Sequence, residues 1–425
     1  MSQLSQVSTH DVPAKPAMNP VYRKRLLMHR IGIALSVAAM ALGLAVLVWI
    51  LFTLVIKGFG ALSIDMFTQT TPAPGSEGGG LINAIVGSAL MVGLATVVST
   101  PIGILAGIYL AEYGEENKFA QVTRFVTDIM LSAPSIVIGL FVYALYVAHV
   151  KHFSGYAGAI ALSVAAMALG LAVLVWILFT LVIKGFGALS IDLFTQTTPA
   201  PGSEGGGLIN AIVGSALMVG LATVVSTPIG ILAGIYLAEY GEENKLAQVT
   251  RFVTDIMLSA PSIVIGLFVY ALYVAHVKHF SGYAGAIALS LIAVPVVVRT
   301  TDNMLRLVPN SLLEAAFALG APRWKVATLV RLRAVKAGVI TGVLLALARI
   351  AGETAPLLFT ALNNQFQSFN MNAPMANLPS VIASFAMSPY DNWRSLAWGG
   401  ALLITFSVLA LNILSRTVFS QKVPH

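Results

Sequence analysis

The chain has 425 residues, of which 57% are hydrophobic and only 10% charged, with a mean hydropathy of +0.87. Soluble domains carry about 25% charged residues, so a water-soluble enzyme or binding module is excluded and an integral membrane protein is expected. There is no cysteine, which excludes disulfide and thiol chemistry, and the net charge of +7 gathers in two segments, where it reports membrane orientation and not nucleic-acid binding.

Residues 1–30 form a polar tail that turns basic at Lys15, Arg23, Lys24, Arg25 and Arg30. No small-residue cleavage site follows a short apolar core there, so the segment reads as a retained cytoplasmic tail. A first apolar span covers 31–56. A polar segment, 57–80, ends in TTPAPGSEGGG, whose Pro and Gly residues make an irregular loop. A second span runs over 81–110 with Pro101 inside it, and a third over 125–150 with Pro134 inside it. Each run is long enough to cross the hydrocarbon as a helix, and none alternates in the manner of a barrel strand.

The next stretch repeats what came before. Residues 36–162 recur as 163–289, and the two copies differ only where Met66 becomes Leu193 and Phe119 becomes Leu246. Pro101 and Pro134 therefore reappear as Pro228 and Pro261, all four read as packing kinks. The tetrad IALS stands at 33–36, 160–163 and 287–290, so misalignment between such tetrads in a single-copy parent of 298 residues would produce this chain. At the junction two helix fragments fuse into one apolar run, 156–183. Its 28 residues at about 1.5 Å each reach roughly 42 Å, enough for one tilted crossing and not two.

Unrepeated segments follow: a span at 280–298 ending in Arg299, a long basic segment at 299–336, a span at 337–362, a polar loop reaching Arg394, and a last span at 395–414. Both the tail and segment 299–336 should lie on the cytoplasmic face. In the single-copy parent four spans separate them, which satisfies both. Here seven do, an odd number. One run must fail to cross or one basic segment must sit on the wrong face, and heterogeneous insertion is expected. The division that follows is a tail (1–30), an extra three-span segment (31–159), and a six-span unit (160–425).

The most specific local signal is SLLEAAFALGAPRWKVATLVRLRAV at 311–335. Leu312, Leu313, Ala316 and Leu319 recur at helical spacing on one face. Gly320 is suited to a left-handed helix end, and Pro322 follows at a usual stop position. The pattern predicts a short amphipathic helix, a turn and a basic continuation between two spans. Such an element either docks in a groove on a cytosolic partner or lies on the headgroups.

The spacing Glu314-Ala315-Ala316, three residues, then Gly320 resembles the EAA loop of ABC-importer permeases. Where that family continues with Ile-x-Leu-Pro, this chain has Val330-Arg331-Leu332-Arg333. LINAIVGSAL, GIYLAEYG, LSAPSIVIGLFVY, VVVRTTDNMLRLVP and ARIAGETAPLLFTAL are similar to the phosphate-importer permeases within that family. The similarity runs from about residue 30 to 419 once one copy is removed.

The resemblance implies an all-α membrane protein, an ABC-importer permease bundle with six spans in the parent and about nine apolar runs here. It implies that Glu314, Ala315, Ala316, Gly320 and Arg323 couple to a cytosolic ATP-binding subunit. It also implies a second homologous permease, an ATPase dimer, an extracytoplasmic phosphate-binding protein and residence in the bacterial inner membrane.

Arg349 and Glu353 fall near the middle of the 337–362 span, four apart and so on one helical face. Ionisable groups at that depth face a polar cavity or each other. One reading gives Arg349 the task of presenting its planar fork of donors to a passing phosphate, with Glu353 orienting it. The other is a structural ion pair. Arg299 is read as snorkelling at a span end, and Glu112 and Glu239 as interfacial.

No GxxxxGK[ST] pattern occurs, so ATP hydrolysis is expected on a separate subunit. The glycine runs at 75–80 and 202–207 lack that ending and read as flexible loops within reach of a solute-binding protein. His149, His152 and their copies His276 and His279 lack metal-ligand spacing, so neither metal nor cofactor is expected. Two other functions are compatible with the residues: a secondary transporter built on repeats, and an inactive duplication product.

Overall fold

The computed structural model describes residues 20–73, 75–76, 78–113, 179–240 and 245–418. The first copy's third span (125–150) and most of the fused run 156–183 lie outside them. Helix α1, Pro20–Ala61, begins inside the segment read as a tail. Its basic residues are strong helix formers, so the helix extends past the apolar span. Short helix α2, Ile64–Thr68, leads to α3, Ile82–Tyr113. The second copy supplies α4, Phe179–Ala188, α5, Ile191–Thr195, and α6, Ile209–Tyr240. Five described helices are long and apolar enough to cross a membrane, and seven if each of two bent pairs counts as one span.

The first bent pair is α7, Lys245–Ser259, and α8, Ser262–Val269, which continues through a π-helical turn to Val277. Pro261 does more than kink this span. It caps α8 in an extended conformation, the residue before it is pushed away from helical geometry, and the two halves meet at 102°.

Helix α9, Gly282–Arg306, outruns the span expected to stop at Arg299. Arg299 does not merely snorkel; its guanidinium lies 3.5 Å from Asp255. Beyond it come α10, Asn310–Ala318, a basic run at 323–334, and α11, Lys336–Ala351. The run and α11 form the second bent pair, at 74°. Helices α12, Ala355–Leu358, α13, Leu378–Ala386, and α14, Asp391–Val418, complete the chain.

The core is organised around α6 and α9. In α6, Gly230 and Gly234 form a small-xxx-small pair, the packing device of membrane helices. A Cβ on Gly230 would sit 2.6 Å from Val297, and one on Gly234 2.5 Å from Thr301. The glycines thus let the two backbones approach closely. On another face of α6 lies α1, running antiparallel: Met40 is buried with Ala233, Tyr236 and Leu237, while Leu42, Gly43 and Val46 face Leu221, Val225 and Ile229. A helix from the first copy is therefore built into the core of the second.

A separate cluster at the far end from Arg306 joins Leu181 of α4, Leu193 of α5 and Leu208 to α13 and α14. Polar groups fasten that end. Asn210 donates to the Asn364 carbonyl at 2.7 Å, Thr198 to the Gln365 carbonyl at 3.1 Å, and the Leu378 amide to Ser215 at 2.7 Å.

Candidate functional site

The expected knob is present. Helix α9 ends before Pro309, which caps α10 in an extended conformation. At the other end Gly320 has φ +74. The Ala321 amide donates to the Ala316 carbonyl at 3.1 Å and the Gly320 amide to the Phe317 carbonyl at 2.8 Å. These two bonds define a Schellman stop, in which glycine takes the left-handed residue without steric cost.

The face the spacing indicated is divided between the bundle and the outside. No α10 residue is fully buried. Leu313 and Ala316 turn partly inward, while Leu312, Phe317 and Leu319 are exposed, Leu319 to 89%. A nine-residue helix packed on only one side has too little neighbouring protein to cover both flanks. Glu314, Ala315 and Gly320 are exposed beside these residues, and Arg323 opens the run that folds back under the knob.

One charge cluster fastens the knob to the spans, and a second ties the spans to each other at the same end. Arg331, at the end of a π-helical segment Val326–Arg331, donates through Nε to the Leu305 carbonyl of α9 at 2.9 Å. Its Nη1 reaches Glu239 Oε1 of α6 at 2.9 Å and the Ala238 carbonyl at 3.3 Å. One guanidinium thus holds the ends of two spans. Beside it Asp302, 2% exposed, accepts from Arg251 Nε at 3.0 Å and from Arg306 Nε at 2.9 Å. Arg251 also donates to the Leu237 carbonyl at 2.6 Å.

Burying a carboxylate among two arginines is tolerable because each charge is paired. Removing one partner of such a set costs about 3–5 kcal/mol. Sequence reasoning counted Asp302, Arg306 and Arg331 within the basic segment and Glu239 as interfacial, passed over Arg251, and missed the clamp. The available signal was their scarcity, since in a chain with 10% charged residues an acid near a basic span end seldom lacks a partner.

Arg349 and Glu353 are not on one continuous helix. The span expected over 337–362 stops at Ala351. Glu353 follows in a turn, its amide bonded to the Ile350 carbonyl at 3.3 Å. The chain then enters α12, whose Pro356 presses on Gly266 of α8: a Cβ there would lie 2.5 Å from Pro356 Cα. Gly352 and Pro356 break a run whose apolar character continues. Arg349 is exposed in the last turn of α11, and Glu353 is half-buried. No ion pair joins them among the described residues, so the guanidinium keeps its donors free for another group. Neither the knob nor Arg349 carries a cluster of metal-binding side chains among the described residues.

A multi-pass helical bundle with an exposed, firmly anchored knob at its basic end has the build of a membrane permease subunit. Residues 230–421 match the family of binding-protein-dependent transport system inner membrane components. The phosphate transport system permease protein PstA of Pasteurella multocida is 63% identical over 61% of this chain and 93% of its own length. The PstA of Yersinia pestis is 60% identical over 62% of this chain and 90% of its own length. PstA 1 of Mycobacterium tuberculosis is 37% identical over 58% of this chain and 82% of its own length. Among solved structures, an inward-facing MetNI methionine ABC transporter matches with a TM-score of 0.43 and 18% identity, over 50% of this chain and 94% of that one. The chain belongs to the PstA family of ABC-importer permeases, whose members work with an ATPase and other transporter subunits.

Proposed function

We propose that the chain forms half of the path for inorganic phosphate through a bacterial inner membrane, driven by ATP hydrolysis on a cytosolic ATPase dimer. A second homologous permease completes the path, and an extracytoplasmic phosphate-binding protein delivers the anion. The observation that carries this reading is the knob: α10 leaves Leu312, Phe317 and Leu319 uncovered, while Arg331 directly behind it ties α6 to α9. A partner seated on Glu314, Ala315, Ala316 and Gly320, with Arg323 at its edge, would push on two spans at once.

Arg349 supplies oxyanion donors along the path, and Glu353 moderates its hold so that the anion leaves. The six-span unit 160–425 carries the transport machinery, with α1 lent to it by the first copy.

The test is phosphate uptake by proteoliposomes holding the full-length chain with its permease partner and ATPase, supplied with the phosphate-binding protein. Uptake should require ATP and persist with an uncoupler present; collapse with the proton gradient would overturn the reading. Arg349→Ala should abolish uptake while membrane abundance is unchanged, and normal uptake by that variant would remove Arg349 from the path.

A further inference from the structure

The sequence of α3 is identical to that of α6 in every residue, yet the two helices have opposite fates. In α6, Gly230 and Gly234 lie directly against Val297 and Thr301 of α9. Their counterparts in α3, Gly103 and Gly107, are exposed and have nothing within 4 Å of where a Cβ would be among the described residues. Some 28% of the apolar window of α6 is buried, and only 6% of that of α3. A face that demonstrably packs on α9 is thus displayed a second time without that partner.

We propose that α3 is an alternative occupant of the α6 seat on α9, so that one chain exchanges between a core built on the second copy and a core built on the first. Three observations support the exchange. First, the packing surface is identical, and its preferred partner is visible on α6. Second, the entry loops are equivalent. Gly80 donates to the Thr70 carbonyl at 2.9 Å, as Gly207 does to Thr197, and Ser63 and Ser190 cap α2 and α5 with the same φ of −131. Third, α1 already crosses between copies: among the described residues it packs far more extensively on α6 than on its own neighbour α3.

Between the start of α2 and the end of α3 the sole difference from the second copy is Met66 for Leu193, a swap of nearly equal volume that cores tolerate. Within hydrocarbon the two helices are separated by packing and not by a cost of exposing apolar surface. By chain length alone, the tether from Tyr113 to Gly282 is about four times that from Tyr240 to Gly282. Two doublings of loop length disfavour the longer one about eight-fold. The second-copy core is the major state and the first-copy core a minor one.

The cysteine-free chain allows a direct test. Ser215 lies against the Leu378 amide, and its counterpart in the first copy is Ser88. Full-length chains carrying S215C with L378C, or S88C with L378C, are oxidised in membranes. Both should form a disulfide within one chain, the second at an initial rate about eight-fold lower. Adding Gly234→Leu, which blocks the α6 seat, should raise the S88C–L378C rate towards that of S215C–L378C. No S88C–L378C disulfide when S215C–L378C is complete would overturn the proposal, as would a disulfide only between chains or no increase with Gly234→Leu. The readout needs neither phosphate nor ATP, so it stands or falls apart from the transport reading.

Discussion

Helices α3 and α6 share the same 32 residues and the same local geometry, but only α6 is buried in the core. The preceding loops also match. Gly75, Gly78 and Gly79 have φ of 84, 82 and 95, and Gly202, Gly205 and Gly206 have 78, 78 and 85. Caps, turns and helix ends therefore follow from residues a few positions apart. Burial does not. Asn210 is 3% exposed because the 363–373 loop folds over it, while Asn83 faces outward and, among the described residues, accepts from Thr71 alone, at 2.8 Å from its hydroxyl. The contrast separates what a sequence dictates by itself from what a distant partner adds.

The same change made in each copy should have very unequal effects. Gly234→Leu drives a side chain into Thr301, whereas Gly107→Leu meets nothing among the described residues. Overpacking of this kind costs typically 1–3 kcal/mol, and with the backbones this close about 3 kcal/mol is expected. The S215C–L378C disulfide should slow markedly in the first variant and stay unchanged in the second. If the two helices shared the seat evenly, Gly107→Leu would instead speed the S215C–L378C disulfide by leaving the seat to α6, and equal slowing by both variants would mean that Gly234 has no special role in the packing on α9.

A smaller, more functional contrast lies at the helix ends. Glu239→Ala strips Arg331 of its carboxylate partner at 2.9 Å. A hydrogen bond to a charged group contributes about 1.5–3 kcal/mol, so detergent-solubilised protein should melt several degrees lower. More ATP should also be hydrolysed per phosphate moved, because the knob would no longer pull α6 and α9 together. Glu112→Ala should change neither quantity while α6 holds the seat. A lower melting temperature with an unchanged coupling ratio would make the clamp structural only.

How much of this was legible follows the same division. The Gly320 stop was readable because glycine and Pro322 announce it locally. The span starting near residue 81 was readable because composition alone sets membrane length. The end of α11 was not, since IAGETAPLLF keeps its apolar character through Glu353, and the break depends on Pro356 meeting Gly266 of another helix. The clamp was invisible for a similar reason: Arg251 and Asp302 are 51 positions apart, and Glu239 and Arg331 are 92 apart. Arg349 and Glu353 stood out because intramembrane charge is rare, but their relation to each other depended on a helix assumed to continue.

The smallest expected effect concerns the difference between the copies just before the identical helices. Leu193 is fully buried, with Leu181, Leu208 and Leu402 in its cluster, while Met66, its counterpart, is only partly covered. Leu193→Met should cost under about 1.5 kcal/mol, since volume is nearly conserved and methionine adapts to irregular space. Met66→Leu should change nothing measurable while the second copy holds the core. If the two copies exchange, the pair of substitutions also shifts the balance. Leu193→Met removes the advantage of the second copy and Met66→Leu gives it to the first, so the S88C–L378C disulfide should form faster in the doubly substituted chain. An unchanged rate there, alongside a measurable loss of stability from Leu193→Met alone, would mean that the first copy never enters the seat that Leu193 helps to shape.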